Sequence, residues 1–404
     1  MLLPAGNLEK LDYAMNYGAD AVYLGLVDFS LRSMRKGEII TAENLKNAVD
    51  LAHSYEKKVY MTLNIYAFNE DIDNLYKTLD IIKEAKPDAL IVSDFGILNV
   101  VKREIPEIAL HISTQTNTLN YEAVKYWRDF GAKRVILARE LSIEQIKTIR
   151  DKVPDIELES FVHGSQCVSF SGRCLLSDYM TNGERQANHG GCAQPCRWSY
   201  KLLEETRPGE YFEIEQNERG THILSPKDLA LINYIPELIE AGVDSFKVEG
   251  RTKSLYYVSA VAKTYRKAID NYYNGVKDDS LLDELLKVGN RGYTTGFYLN
   301  KPDGDGYSYD ISKGLAGADF LFEVKDKKDS LLLVKIKNKI NKGEEIEMIS
   351  PQEMFKTKIL NIYNTDMEEK EVGNTNDDIF VELSVMPENY KYALGRTIGI
   401  KNKR

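Results

Sequence analysis

Four stretches of the chain repeat one local pattern. "MNYGADAVYLG", "KEAKPDALIVSD", "WRDFGAKRVILARE" and "IEAGVDSFKVEGR" each carry the end of a polar helix, a breaker and a short apolar run. In three of them the breaker is glycine, which closes a helix in the left-handed region at no steric cost. In the second it is Pro87. Short apolar runs without alternation are strands buried on both faces, and such strands alternating with helices make a parallel sheet. The pattern predicts strands at Leu2–Pro4, Ala21–Leu24, Val59–Leu63, Ala89–Val92, Ala109–Ile112, Arg134–Leu137, Ile156–Phe161 and Ser245–Val248. Amphipathic segments such as Thr41–Tyr55 and Glu70–Ala85 lie between them. Eight such units in about 275 residues fit a TIM-like (β/α)8 barrel. An open doubly wound sheet is the alternative, but no dinucleotide glycine fingerprint follows the first strand.

One connection breaks the rhythm. More than eighty residues separate the seventh and eighth strands, and they hold every cysteine of the chain. Long insertions in barrels gather on the C-terminal face, where active sites form. The expected organisation is a barrel over residues 1–277 with an insertion at 163–225. A helix and a Gly- and Tyr-rich linker then cover 278–315, and a small β-barrel domain of alternating strands spans 316–404.

Nothing at the start reads as a signal peptide, and no stretch approaches the roughly 20 apolar residues of a membrane helix. The expectation is a cytoplasmic protein without a membrane role. In that reducing compartment, four clustered cysteines point to a metal rather than to disulfides. The spacing is C-x6-C, seventeen residues, then C-x3-C, at Cys167, Cys174, Cys192 and Cys196. Only the second pair has the tight spacing of a zinc knuckle, whereas iron–sulfur clusters accept more varied spacing. Iron–sulfur is the favoured reading, zinc the alternative, and four inert buried thiols the bland one.

Residues just past the strand ends face the site in a barrel. Asn64, Gln115, Arg139, Lys247 and Arg251 lie there, and Arg173 lies between two of the cysteines. All six are substrate-binding candidates, with Arg139, Lys247 and Arg251 suited to clamp carboxylates. Glu140, Glu159 and Glu249 could balance those cations or move protons. His163 could donate a proton, stand in a supporting position or be a solvated loop residue, whereas His111, inside a strand, reads as a core residue. A plain salt-bridge network closing the barrel top accounts for the same residues. No H-E-x-x-H or G-x-S-x-G is present, so neither a zinc protease nor an α/β-hydrolase site is visible.

The net charge of −9 gives no bulk sign of nucleic-acid binding. From Arg251 to Lys277, however, six cations and five tyrosines interleave, a texture found in RNA binders. By pattern alone, a helix packing its tyrosines inward is the better reading. Lys335, Lys337, Lys339 and Lys342 could add a basic face to the β domain, and Arg396, Lys401, Lys403 and Arg404 a basic end.

"ELESFVHGSQCVSFSGRCLLS" resembles the signature of the peptidase U32 (collagenase-like) family. Glu159, Phe161, Gly164, Ser165, Cys167, Gly172, Cys174, Leu176 and Ser177 match it, and Gln166 stands where an aliphatic residue is usual. The resemblance extends through "LLPAGNLEKLDYAMNYGADAVYLG", "LHISTQTNTLNYEAVKYW", "CAQPCRW" and "NRGYTTGFY" to the β domain. "SPKDL" at Ser225 departs from the usual Asn-Ser-Lys-Asp. Members of this length imply a tRNA-modifying enzyme that hydroxylates wobble uridine to 5-hydroxyuridine without oxygen, with prephenate as co-substrate. Other members imply a 23S rRNA hydroxylase or a hydroxylase of quinone precursors, some acting in pairs with a paralogous partner subunit. The family label implies a peptidase, which these residues do not support. The quinone branch binds a 4Fe-4S cluster in a similar segment, which implies Cys167, Cys174, Cys192 and Cys196 as cluster ligands here.

Overall fold

The structure is a computed structural model. It describes residues 1–26, 29–30, 40–167, 169, 174–182, 184–185, 187–188, 190–198, 216–217, 220–221, 226–300 and 316–399. Seven parallel strands run in chain order: β1 (Leu2–Pro4), β2 (Ala21–Gly25), β3 (Lys58–Leu63), β4 (Ala89–Val92), β5 (Ala109–Ile112), β6 (Arg134–Ile136) and β7 (Glu157–Gly164). After them come β8 (Asp228–Ala230) and β9 (Ser245–Val248). Strand β9 pairs in parallel with both β7 and β1 and closes an eight-stranded barrel. The TIM-like fold expected from the repeating pattern is therefore present. Strand β8 lies outside that closure, antiparallel to β7.

Helices α1 (Leu8–Asn16), α2 (Ala42–Ser54), α3 (Asn69–Ala85), α4 (Phe95–Glu104), α5 (Tyr121–Phe130) and α6 (Ile143–Lys152) follow the first six strands. Four of their starts, those of α1, α4, α5 and α6, are capped by side chains that satisfy otherwise unpaired N–H groups. Asn7 accepts from the Lys10 amide at 2.8 Å and Asp94 from the Gly96 amide at 2.7 Å. Gly131 closes α5 at φ 103°, as the repeated glycines of the sequence require.

The short α7 (Leu176–Met180) lies in the cysteine segment, and α8 (Ile235–Glu240) precedes β9. Helix α9 (Leu255–Tyr273) carries the tyrosine-rich stretch. Tyr256, Tyr257 and Tyr265 are buried against the barrel and only Tyr273 is largely exposed, so the helix packs as its apolar periodicity predicts. After α10 (Leu281–Leu286), part of the stretch read as linker is built into the barrel. Tyr293–Thr294 form β10 beside β8, and the buried Tyr298 hydroxyl donates to the Phe161 carbonyl at 2.8 Å.

The C-terminal strands form an antiparallel sheet in the order Glu345–Ile349, Leu394–Thr397, Phe320–Lys328, Leu331–Ile336, Asp378–Leu383, Met354–Tyr363. The first and last of these pair, closing a small barrel around a core of its own. Its expected basic face is largely neutralised: Lys335 pairs with Asp378, Lys337 with Glu323 and Lys342 with Glu369. Arg396 lies at the contact between the two barrels instead of on a basic end. It is fully buried, donating to Glu347 and Glu284, with the Tyr256 hydroxyl at 3.2 Å.

Candidate functional site

Successive side chains of a strand point to opposite faces, so residues two apart stack in layers inside a barrel. Here Tyr60, His111, Arg134, Glu159 and Ser245 make a lower layer. The residues two further along, Thr62, Ser113, Phe161 and Lys247, line the cavity above, with Tyr23 and Ile91. The cavity holds about 180 Å³ and is also lined by Asn64, Gln115, Arg139, Ser165, Glu249 and Arg251. All four cysteines line it too.

Glu159 occupies the lower layer, not the cavity wall. Its carboxylate is fully buried and accepts from Arg134 at 2.9 Å, Lys247 at 3.0 Å and Ser245 at 2.8 Å. Burial would raise its pKa, but Lys247 and Arg134 outweigh that and hold it at about 2. Burial, with Arg251 and Arg134 nearby, pushes Lys247 down more than Glu159 lifts it. Glu159 is the ionised anchor of the layer, because three donors converge on it. His111 is buried in the same layer, edge-on to Tyr60, and burial, with Arg134, pushes it down to about 3.

His163 does not line the cavity either. The β7–β9 ladder shifts register between Lys247 and Val248, so β7 carries one extra residue between Phe161 and His163. Such a bulge reverses the facing of the strand residues beyond it. Phe161 points inward while His163 points outward, packed among Tyr257, Tyr265 and Tyr293. Burial pushes its pKa down to about 3, and among the described residues no hydrogen bond reaches its Nε2. Glu140 lies beside Arg139 but outside the lining, its pKa raised by burial.

The remaining polar candidates converge. The Arg139 guanidinium stacks on the Phe161 ring at 3.8 Å and donates to the Ser165 carbonyl at 2.7 Å. Arg251 donates to Ser30 and Thr62, and Lys247 lies 4.6 Å from the centre of the Tyr23 ring. Opposite these cations, the Gln115 side-chain oxygen accepts from Asn64 at 2.7 Å, Ser113 at 3.1 Å and Ser93 at 3.4 Å. Three donors on that oxygen leave the amide N–H groups directed elsewhere. The Glu249 carboxylate accepts from the Ser165 amide at 3.1 Å. Gly164, at φ 111°, makes this approach possible, because a Cβ there would collide with the Glu249 backbone.

The cysteine segment lies against the mouth. Asn188 brackets the Tyr66 backbone, accepting from its N–H and donating to its carbonyl, both at 2.8 Å. Ser177 donates to the Arg185 carbonyl at 2.6 Å and accepts from the Ala193 amide at 2.8 Å. The Gln194 amide points at the Cys192 sulfur at 3.4 Å. Burial raises the Cys196 thiol pKa, Arg197 opposes this, and the other three cysteines raise it further. The neighbouring thiols thus oppose ionisation of Cys196, and a bound cation would relieve that. In number and kind they make a complete ligand set for an iron–sulfur cluster. Among the described residues, no three His, Cys, Asp or Glu side chains converge as around a single metal ion. Arg173 lies outside the described residues.

Tyr23, Thr62 and Phe161 could have been found by counting inward positions along each predicted strand. Asn188 gives no such signal, since its partner is 122 residues away. Asn188→Ala is expected to lose both bonds and loosen the segment by about 1–3 kcal/mol. Amide exchange over residues 190–198 would quicken while global stability holds, and unchanged exchange would show that the segment is held elsewhere.

Residues 6–307 match the model of peptidase family U32, and residues 317–394 match that of its C-terminal domain. Relatives include tRNA hydroxylation protein P of Haemophilus influenzae, 37% identical over 98% of this chain and 95% of that one. tRNA hydroxylation protein P1 of Bacillus subtilis is 39% identical over 91% and 87%. A protein named collagenase from Porphyromonas gingivalis is 34% identical over 78% and 74%. Among the described residues, no helix is long and apolar enough to cross a membrane.

Proposed function

The chain belongs to peptidase family U32, and from that premise we propose that it is an RNA hydroxylase acting on tRNA. The finer reading is conversion of wobble uridine to 5-hydroxyuridine, in the cytoplasm, with prephenate as co-substrate and a 4Fe-4S cluster. One observation carries it: four cysteines, three cations and Glu249 line a single cavity at the C-terminal mouth of the barrel.

Four cysteines and no histidine among the described cavity-lining residues support iron–sulfur, with zinc as the alternative. Cys167, Cys174, Cys192 and Cys196 would hold the cluster, which supplies one-electron chemistry when bound. Arg139 and Arg251 bind the carboxylates of prephenate, and Lys247 neutralises them at the cavity floor. Gln115 donates its amide N–H groups to an oxygen of the ligand. Glu249 is the one carboxylate lining the cavity among the described residues, and it holds or moves the proton. The target base enters flipped or from a single-stranded loop.

Among the described residues no histidine lines the cavity beside a serine or cysteine, which weighs against a peptidase. The test is mass spectrometry of nucleosides from the tRNA of wild-type and deletion cells. Loss of 5-hydroxyuridine, restored by the intact gene, is expected. An unchanged profile would overturn the tRNA reading and turn attention to ribosomal RNA and quinone precursors.

A further inference from the structure

Helix α7 has two faces with opposite fates. Leu176 and Ser177 line the cavity, whereas Tyr179 and the preceding Leu175 stand 80% and 77% exposed. Two large exposed side chains, one on this five-residue helix and one at its N-cap, are unusual at the rim of a site for a surface with nothing to meet. Phe68, two residues beyond the Tyr66 backbone that Asn188 brackets, is 61% exposed at the same rim.

A cation accompanies them. Arg185 is exposed, and its backbone is tied to α7 through Ser177 and Thr181. Its guanidinium donates to the Gly191 and Cys192 carbonyls, which fix its position without neutralising it. Among the described residues no carboxylate pairs with it. An exposed ring beside a fixed, uncompensated cation suits a base and its phosphate. The cavity has room only for ligand-sized groups, so a polymer that presents a base there has to run over the rim.

We propose that Tyr179, with Leu175 and Arg185, forms a platform for single-stranded RNA, the ring stacking on an unpaired base next to the target and Arg185 holding a phosphate. This rests on the RNA reading above, and it assigns the rim a role separate from the cavity. Tyr179 is 80% exposed, so its replacement leaves the fold intact.

The test is binding of a labelled single-stranded oligoribonucleotide of about 8 nucleotides, with a duplex of equal length beside it. Tyr179→Ala is expected to weaken single-strand binding by about 10-fold and Tyr179→Phe to retain it. Arg185→Ala is expected to flatten the salt dependence, by about 0.7 in the slope of log K against log salt. Wild-type binding that survives Tyr179→Ala undiminished would overturn the platform and leave the rim facing a protein. A wild-type protein that binds no RNA would bring down the RNA reading itself, and the platform with it.

Discussion

On the proposed function, replacing Cys174 with alanine is expected to remove the cluster's iron and abolish tRNA hydroxylation. Cys174 is half-exposed, so losing its sulfur costs the core almost nothing and leaves the fold intact. Its effect falls on the proposed ligand set, because three thiolates would leave one iron of the cluster without a protein ligand. Outer partners of metal ligands already cost 10- to 100-fold when removed, so loss of a ligand is expected to cost at least about 100-fold in activity. The readouts are iron and sulfide content, visible absorbance and 5-hydroxyuridine formed on tRNA. Iron content equal to wild type would remove Cys174 from the ligand set. Iron lost but hydroxylation kept would make the cluster structural. Wild-type protein that carries zinc instead of iron would establish the alternative metal.

The second large effect concerns stability. Glu159→Gln removes the anion that serves both Arg134 and Lys247 in the barrel interior. Two buried cations would then face a neutral amide, and breaking a buried pair in this way costs about 3–5 kcal/mol. Acid pH supplies the sign. The carboxyl has a folded pKa of about 2, below its ordinary 4.5, so folding favours its ionised form. Its stabilisation is complete above the unfolded value and is lost as pH falls from 4.5 towards 2, by about 3 kcal/mol in all. Wild type and variant should therefore differ most at neutral pH and converge in acid. Urea unfolding at several pH values measures this, and a constant difference across that range would sink the account.

The fold was legible because its cause is local and repeated. Gly18, Gly131 and Gly242 each occupy the left-handed region at the end of a helix and precede a buried strand, and such alternation leaves few alternatives to a parallel barrel. The cysteines were legible because they are scarce and clustered, which needs no structure to see. The cavity residues were half legible. Arg139, Lys247, Glu249, Arg251, Asn64 and Gln115 are placed by their position at strand ends, and all line one cavity. Glu159 and His163 have the same residue types and nearly the same places, yet neither reaches it.

The difference is one of phase. Glu159 lies two residues before Phe161 and so falls one layer below the cavity. His163 lies two residues after it and would have faced inward, had the bulge in the β7–β9 ladder not turned it out among the tyrosines of α9 and β10. The sequence by itself determined the repeating unit, the strand ends and the four thiols, because each depends on near neighbours and residue chemistry. Only the tertiary structure decided which charged side chain meets the cavity, that Asn188 ties the cysteine segment to Tyr66, and that Arg396 is buried between the barrels. Those outcomes depend on register and on partners more than a hundred residues away, and no local pattern carries either.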